Sequence, residues 1–419
     1  MTIPAASEPS SLAFSYRNFR FFWATTLLVS FAVQIMSVSI AWQIYDTTGD
    51  ALLLGLVGLS LFLPSLLLIL VTGLVADRFN RRIIMAICLS VEFLCALGFL
   101  GFVNAPEHQI WMIFVILVVL GTARAFWGPA ATSLAPNLVP PEALANAITV
   151  NASAWQFASI MGPSVGGLLL LWSSSLPFIV GAVLLAVAVV CVLLIRKPAV
   201  RESHAATSLH TMLAGFRYIF RNKVVLGAIT LDMFAVLMGG AVALLPVYVK
   251  DILHGTPLEL GILRASPGIG AIVMALYLTR FPVRDNAGRI LFLFVGLFGV
   301  FTVVFGLSTS IWLSVIALAL VGASDMVSVT IRETIMQLWT PEEVRGRVNA
   351  VNSVFIGASN ELGEFRAGTV AHLIGPVPAV VIGGVGSIII AIGWSQLFPG
   401  LRNQRSLDRN MVADNVSGA

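Results

Sequence analysis

Residues Gly73 to Arg82 read G-L-V-A-D-R-F-N-R-R, and an apolar run of membrane length stands on either side, Leu52–Leu70 and Ile83–Val103. A segment with three arginines and an aspartate between two such runs has to reach water, so it marks one membrane face. The excess of arginine selects the cytoplasmic face. A connection this short makes the flanking runs antiparallel neighbours. Asp77, among the arginines and near two helix ends, is placed to pair with arginine or to cap a helix N-terminus.

Composition extends this reading to the whole chain. Of 419 residues, 58% are hydrophobic and 11% charged, where a soluble domain carries about 25% charged residues. The apolar excess runs along nearly the full length, which describes a polytopic membrane protein rather than one water-soluble core. The polar first fifteen or so residues lack the order of a cleaved signal peptide, and the first apolar run is long enough to stay as a spanning helix. Cys88, Cys95 and Cys191 all fall inside apolar runs and read as buried thiols without a redox or metal role.

Runs of membrane length recur at 21–42, 52–72, 83–103, 110–130, 147–171 and 176–195, and again at 224–248, 258–279, 289–308, 310–331, 348–373 and 376–397. The expected organisation is a cytoplasmic segment over 1–20, a six-helix bundle over 21–195 and a cytoplasmic linker with an amphipathic helix over 196–223. A second six-helix bundle over 224–397 and a cytoplasmic tail over 398–419 complete it. In the linker, Leu209, Met212, Leu213, Phe216, Tyr218 and Ile219 space as a helix lying on the membrane surface. With both termini inside, most of the 24 lysines and arginines fall on the cytoplasmic side and only Lys250 falls outside. Arg124, Arg264, Arg332 and Arg366 fall within or at the ends of spans. A wrong count would scramble that asymmetry. The halves also repeat: Pro140, Asn151, Gly162 and Gly167 recur at one constant offset as Pro341, Asn352, Gly363 and Gly368.

These residues carry a resemblance. Gly73, Asp77, Arg78, Arg81 and Arg82 resemble the loop signature of the major facilitator superfamily, with Asn80 where the family usually has Gly. Asn tolerates a left-handed backbone better than most residues, so the turn is expected to be kept. The resemblance implies an all-α polytopic membrane protein of 12 transmembrane helices in two six-helix bundles. It also implies that Asp77, Arg78 and Arg82 latch the cytoplasmic side of the outward-facing state. Parallel repeats about an axis along the membrane normal are how such proteins are built.

Two further stretches resemble family motifs. Gly162, Pro163, Gly166 and Gly167, in G-P-S-V-G-G, are similar to the antiporter motif, with Ala158 where it usually begins with Gly. Physically, they strip one helix face of side chains and permit a kink, so tight packing alone also explains them. Arg124, Gly128 and Ala131 resemble a motif whose arginine is implicated in proton transfer, with Trp127 replacing the usual Gln. An intramembrane arginine has to face a partner or water, or snorkel to the interface. The stretches 345–366 and 136–147 are similar to the bacterial facilitator branch that includes the enterobactin exporter.

Mid-membrane acids are the natural partners for a proton, because a carboxylate removed from water holds one more readily. Glu92, Asp232 and Glu361, with Arg124, are the proton-coupling candidates; Asp325, Glu364 and Arg366 are similarly placed, the last two reading as partners of other helices. Gln34, Trp155, Gln156, Asn352 and Asn360 are candidates to line a substrate cavity. There is no P-loop and no His/Cys cluster at metal-ligand spacing, so the expectation is no enzyme, no metal and no cofactor, with the proton gradient as energy source. The expected partners are a small-molecule substrate, protons and the lipid bilayer, with no nucleic acid, and a monomer is expected to suffice. The expected function is export of a siderophore or drug-like molecule across the bacterial inner membrane by proton antiport. Proton-coupled uptake and a non-transporting sensor on the same fold are the alternatives.

Overall fold

A computed structural model describes residues 12–107, 109–196 and 209–404; the side chains of Leu70, Asp77, Glu343 and residues 209–214 fall outside that description. Helix dominates because a backbone in lipid has to satisfy its own hydrogen bonds, and a helix does so within one segment. The chain divides into two units, Met1–Gln43 with Ser60–Thr207, and Ile44–Leu59 with Ser208–Ala419.

The first unit is built from α1 (Arg17–Thr48) up to Gln43, α2 (Ala51–Arg78) from Ser60 onward, α3 (Arg81–Asn104), α4 (Ile110–Leu134), α5 (Pro141–Trp172) and α6 (Leu176–Leu194). α3 packs against both α4 and α6. α5 lies close to α1: a Cβ added at Gly162 would sit 2.6 Å from Gln34 Cβ, and one at Gly166 3.0 Å from the Ile35 carbonyl oxygen. The antiporter-like residues Gly162, Pro163, Gly166 and Gly167 are all buried, and the glycines among them allow this close approach. The charged stretch between the second and third spans is mostly helical. Gly73–Arg78 forms the end of α2, and only Phe79 and Asn80 separate it from α3. Asn80 is not left-handed; it is extended (φ −65°, ψ 109°) and its side chain accepts from the Arg82 amide, capping α3. Its capping oxygen, rather than backbone tolerance, holds the turn where the family uses glycine.

The second unit begins with α7 (Leu209–Arg221), whose Ile219 is buried with Val225, Val348 and Val351. Phe216 and Tyr218 of the same helix pack against this cluster. α8 (Lys223–Gly239) follows. The expected seventh span, 224–248, is not one continuous helix. Gly240 takes a left-handed backbone (φ +49°) with the Gly363 carbonyl and Ala367 pressed against it, so only a residue without Cβ fits. A broken stretch containing α9 (Leu245–Val247) and a π-helical turn, Tyr248–Ile252, leads on. Then come α10 (Pro257–Arg280), α11 (Ala287–Leu307), α12 (Ile311–Trp339), α13 (Glu342–Ile374), α14 (Pro376–Leu397) and the short α15 (Pro399–Arg402).

Eleven helices among the described residues are long and apolar enough to cross a membrane. The twelfth, α13, has 33 residues, and its Glu361, Glu364 and Arg366 lower its hydropathy. The repeat is visible in both units. Pro140 and Pro341 are extended residues preceding α5 and α13. Gly363 of α13 meets the α8 backbone at Val236 and Leu237, as Gly162 of α5 meets α1. The tip segment 44–59 is held to its own unit by polar contacts: Lys250 Nζ to Asp46 at 2.6 Å, Tyr45 to Asp251, and His372 Nδ1 to Asp50 at 2.9 Å.

Candidate functional site

The first unit contains a cavity of about 770 Å³, within the range of small-molecule sites. α1 supplies Phe19, Phe22 and Gln34 to its wall, α4 supplies Arg124, Trp127 and Gly128, and α5 supplies Asn151 and Trp155. Trp127 follows Arg124 by three residues, which puts both on one face of α4. Glu92 of α3 also lines the cavity, although it is 1% exposed. The two sequence-predicted charges, Glu92 and Arg124, are thus brought together, with Arg124 Nε 3.8 Å from Glu92 Oε2. That distance allows Coulomb attraction but not a hydrogen bond. Glu92 Oε2, Arg124 Nε, Trp127 Nε1 and Asn151 Oδ1 are all buried without a hydrogen-bond partner. Each belongs to a residue of the cavity wall, but the atoms themselves are covered by protein.

Of the predicted cavity residues, Gln34 and Trp155 line this wall, with Gln34 Nε2 3.4 Å from Ser159 Oγ. Gln156 does not line it. Asn352 is buried within α13, and Asn360 lines a separate cavity of about 200 Å³ in the second unit together with Asp325 and Glu364. Of the loop residues, Arg78 is exposed, Arg81 and Arg82 are half-buried, and Arg82 Nη1 donates to the Ile195 carbonyl at 2.6 Å, tying the start of α3 to the end of α6. Gly73 lies inside α2, and the Asp77 side chain is outside the described residues.

The buried charges of the second unit are arranged differently. Asp232 of α8 pairs with Arg332 of α12 at 2.7 Å, with side chains 9% and 7% exposed. Arg332 Nε also donates to Ser328 Oγ at 3.2 Å. Only about 10 Å³ of space remains beside Asp232 and Ser328, whereas Asp325 also borders the cavity of about 200 Å³. Asp325 lies within charge range of both partners. Arg264 of α10 lies within charge range of Glu364 and Glu361. Arg366 supports the backbone, because its guanidinium donates to the Leu237 carbonyl at 3.0 Å and to the Met238 carbonyl. Those carbonyls are freed where α8 breaks, and a cation at a helix C-terminus is favourable. Arg332 and Trp127 are site residues that the sequence alone did not single out as such. The signal was present in the i, i+4 spacing of Ser328 and Arg332 and the i, i+3 spacing of Arg124 and Trp127.

Six-helix units with matching glycine contacts, each holding charges at membrane depth, define a transporter of the major facilitator fold. Solved structures agree: a bacterial homolog to the human lysosomal transporter Spinster superposes with a TM-score of 0.74 at 17% identity, covering 92% of this chain and 98% of that one. The nucleoside transporter NupG gives 0.70 at 16% identity over 91% and 99%. At these identities the likeness is one of fold. Over residues 9–414 the chain matches the family described as transmembrane secretion effector, and it belongs to that family. Relatives include the enterobactin exporter EntS of Escherichia coli (strain SMS-3-5 / SECEC), 26% identical over 400 residues that span 91% of this chain and 89% of the relative. The Shigella boydii serotype 4 (strain Sb227) protein of the same name is 26% identical over 402 residues, 91% and 92% of the two chains. The protein is a multi-pass membrane transporter, and its family and relatives are transporters rather than enzymes.

Proposed function

We propose that this chain exports a small organic molecule, a siderophore or drug-like compound, across the bacterial inner membrane. Export runs by alternating access in exchange for protons, both termini are cytoplasmic, and a monomer suffices. The observation that carries the reading is the loose Glu92–Arg124 pair in the wall of the first unit's cavity. A carboxylate accepting the substrate's hydrogen bond is not free to take a proton. One that holds a proton offers only a neutral, weaker acceptor. Proton and substrate then draw on one group, which is what antiport needs. The exporters of enterobactin among the relatives favour outward transport of that kind of cargo.

Purified protein in proteoliposomes tests the reading, with enterobactin as the first probe. An imposed pH gradient is expected to drive substrate against the direction of proton flow, a protonophore to abolish this, and ATP to be unnecessary. Substrate moving with the protons would establish uptake by symport instead. Binding with neither counterflow nor gradient-driven movement would establish a sensor.

A further inference from the structure

α7 meets the rest of its unit through one side and leaves the other uncovered. Gly215 lies against the Arg347 backbone of α13, where an added Cβ would sit 2.8 Å from the carbonyl oxygen. Phe216 meets Phe355 edge to face, the Tyr218 hydroxyl donates to the Trp339 carbonyl, and Ile219 is buried. Arg217, Phe220 and Arg221 share the opposite side, spaced i, i+3 and i+4. All three are exposed, Phe220 at 65%. Only Asn222 separates α7 from α8, whose span begins at Lys223. Phe220 and Arg221 therefore stand at the level of the lipid headgroups. A ring flanked by guanidinium groups at that level suits lipid: the acyl boundary takes the ring and the headgroups take the charges. Charge selects the lipid. Arg217, Arg221 and the exposed Lys223 are three cations in close succession, and none forms an ion pair with an acid among the described residues.

We propose that the uncovered side of α7 is a docking surface for an anionic phospholipid, with the phosphate held between Arg217 and Arg221 and the Phe220 ring among the upper acyl carbons. Phe216, Tyr218 and Ile219, which the sequence places on a membrane-facing helix, instead fix that helix to the protein. A helix already held in this way has little freedom left to lose, so little ordering opposes the attraction. Each arginine or lysine near an anionic surface strengthens binding by about fivefold. The proposal concerns the bilayer and not the cargo, so it stands whichever way the chain transports.

The test places a bimane fluorophore on the full chain through Phe220→Cys, with Cys88, Cys95 and Cys191 changed to alanine. The protein sits in vesicles of phosphatidylcholine and phosphatidylglycerol, and one lipid at a time carries bromine on its acyl chains as a quencher. Molecule for molecule, phosphatidylglycerol is expected to quench at least about fivefold more than phosphatidylcholine. Raising the salt concentration should narrow that gap, because exposed charges are screened. Arg217→Gln with Arg221→Gln should close most of it. Equal quenching by the two lipids overturns the proposal, as does a preference that survives the double arginine variant. No quenching by either lipid overturns it too, since position 220 then lies in water or under a second copy of the chain. If the cysteine-free chain does not fold, native mass spectrometry of the otherwise unaltered chain compares retention of the two lipids with and without Arg217→Gln and Arg221→Gln. The same loss of preference is expected. Unchanged retention overturns the proposal, as does soluble glycerophosphoglycerol competing as well as the lipid, which would make this a site for free anions.

Discussion

The fourth spanning helix of each repeat carries buried charge, and the two do so in opposite ways. On α4, Arg124 approaches Glu92 only to 3.8 Å, beside a cavity of about 770 Å³. On α12, Arg332 holds Asp232 at 2.7 Å and Ser328 at 3.2 Å, beside about 10 Å³. Counting from Ile110 and Ile311, where the two helices start, Asp325 stands where Arg124 stands. One scaffold position thus carries opposite charges in the two repeats. A closed pair with its hydrogen bonds made acts as a strut between α8 and α12. A loose pair in a cavity wall holds no such fixed link between its helices. The two acids are both buried, but the arginines differ: Arg124 is 28% exposed and Arg332 only 7%, so distance and the exposure of the arginine separate the two pairs.

Removing the strut is the most forceful way to break this contrast. Asp232→Asn leaves Arg332 buried without its counter-charge, and losing one member of a buried pair costs about 3–5 kcal/mol. Thermal unfolding in detergent should show the largest drop of any variant named here. Asp232→Leu with Arg332→Met should recover most of it, because an apolar pair of similar volume is often neutral. A small loss for Asp232→Asn alone would mean the second pair is no strut. Two glycines sharpen the contrast further. A Cβ at Gly322 of α12 would run into the Pro267 carbonyl of α10, so Gly322→Ala should destabilise by about 1–3 kcal/mol through overpacking. At Gly128 of α4 an added Cβ meets nothing within 4 Å. Gly128→Leu should therefore cost less stability than Gly322→Ala, its main penalty being the crowding of a side chain against the ring of Pro129 that follows. It should also abolish ligand binding by filling the cavity. Loss of fold in Gly128→Leu, or unimpaired binding, would contradict the account of α4.

Much of the fold was legible in the sequence, because lipid leaves few options. Apolar run length, the arginines of the Gly73–Arg82 stretch and the recurrence of Pro140, Asn151 and Gly162 as Pro341, Asn352 and Gly363 all follow from local chemistry. The break after Gly239 was not legible as a break. Gly pairs occur in many spans, and only the approach of Gly363 and Ala367 makes Gly240 turn. The role of Asn80 was missed for a related reason: a side-chain cap and a left-handed turn use the same residue type. The candidate charges were visible as charges, but not their partners. Which acid meets which arginine depends on helix rotation, and apolar residues on all faces of a membrane helix hide that rotation from periodicity. Hence Asp232 read as equivalent to Glu92, although one is closed by Arg332 and the other faces a cavity. The tight pair, the cap by Arg366 on α8 and the glycine contacts of α5 give these residues a part in the frame as well.

The most informative change in behaviour belongs to Glu92→Gln. Glutamine keeps the shape and one acceptor of the carboxyl group but cannot exchange a proton. In proteoliposomes loaded with a compound the wild type moves, at concentrations high enough to offset its weaker binding, the variant should still exchange substrate for substrate. An imposed pH gradient should no longer drive accumulation in it. Accumulation in Glu92→Gln that follows the pH gradient as in the wild type would contradict the central claim that proton and substrate meet at this pair.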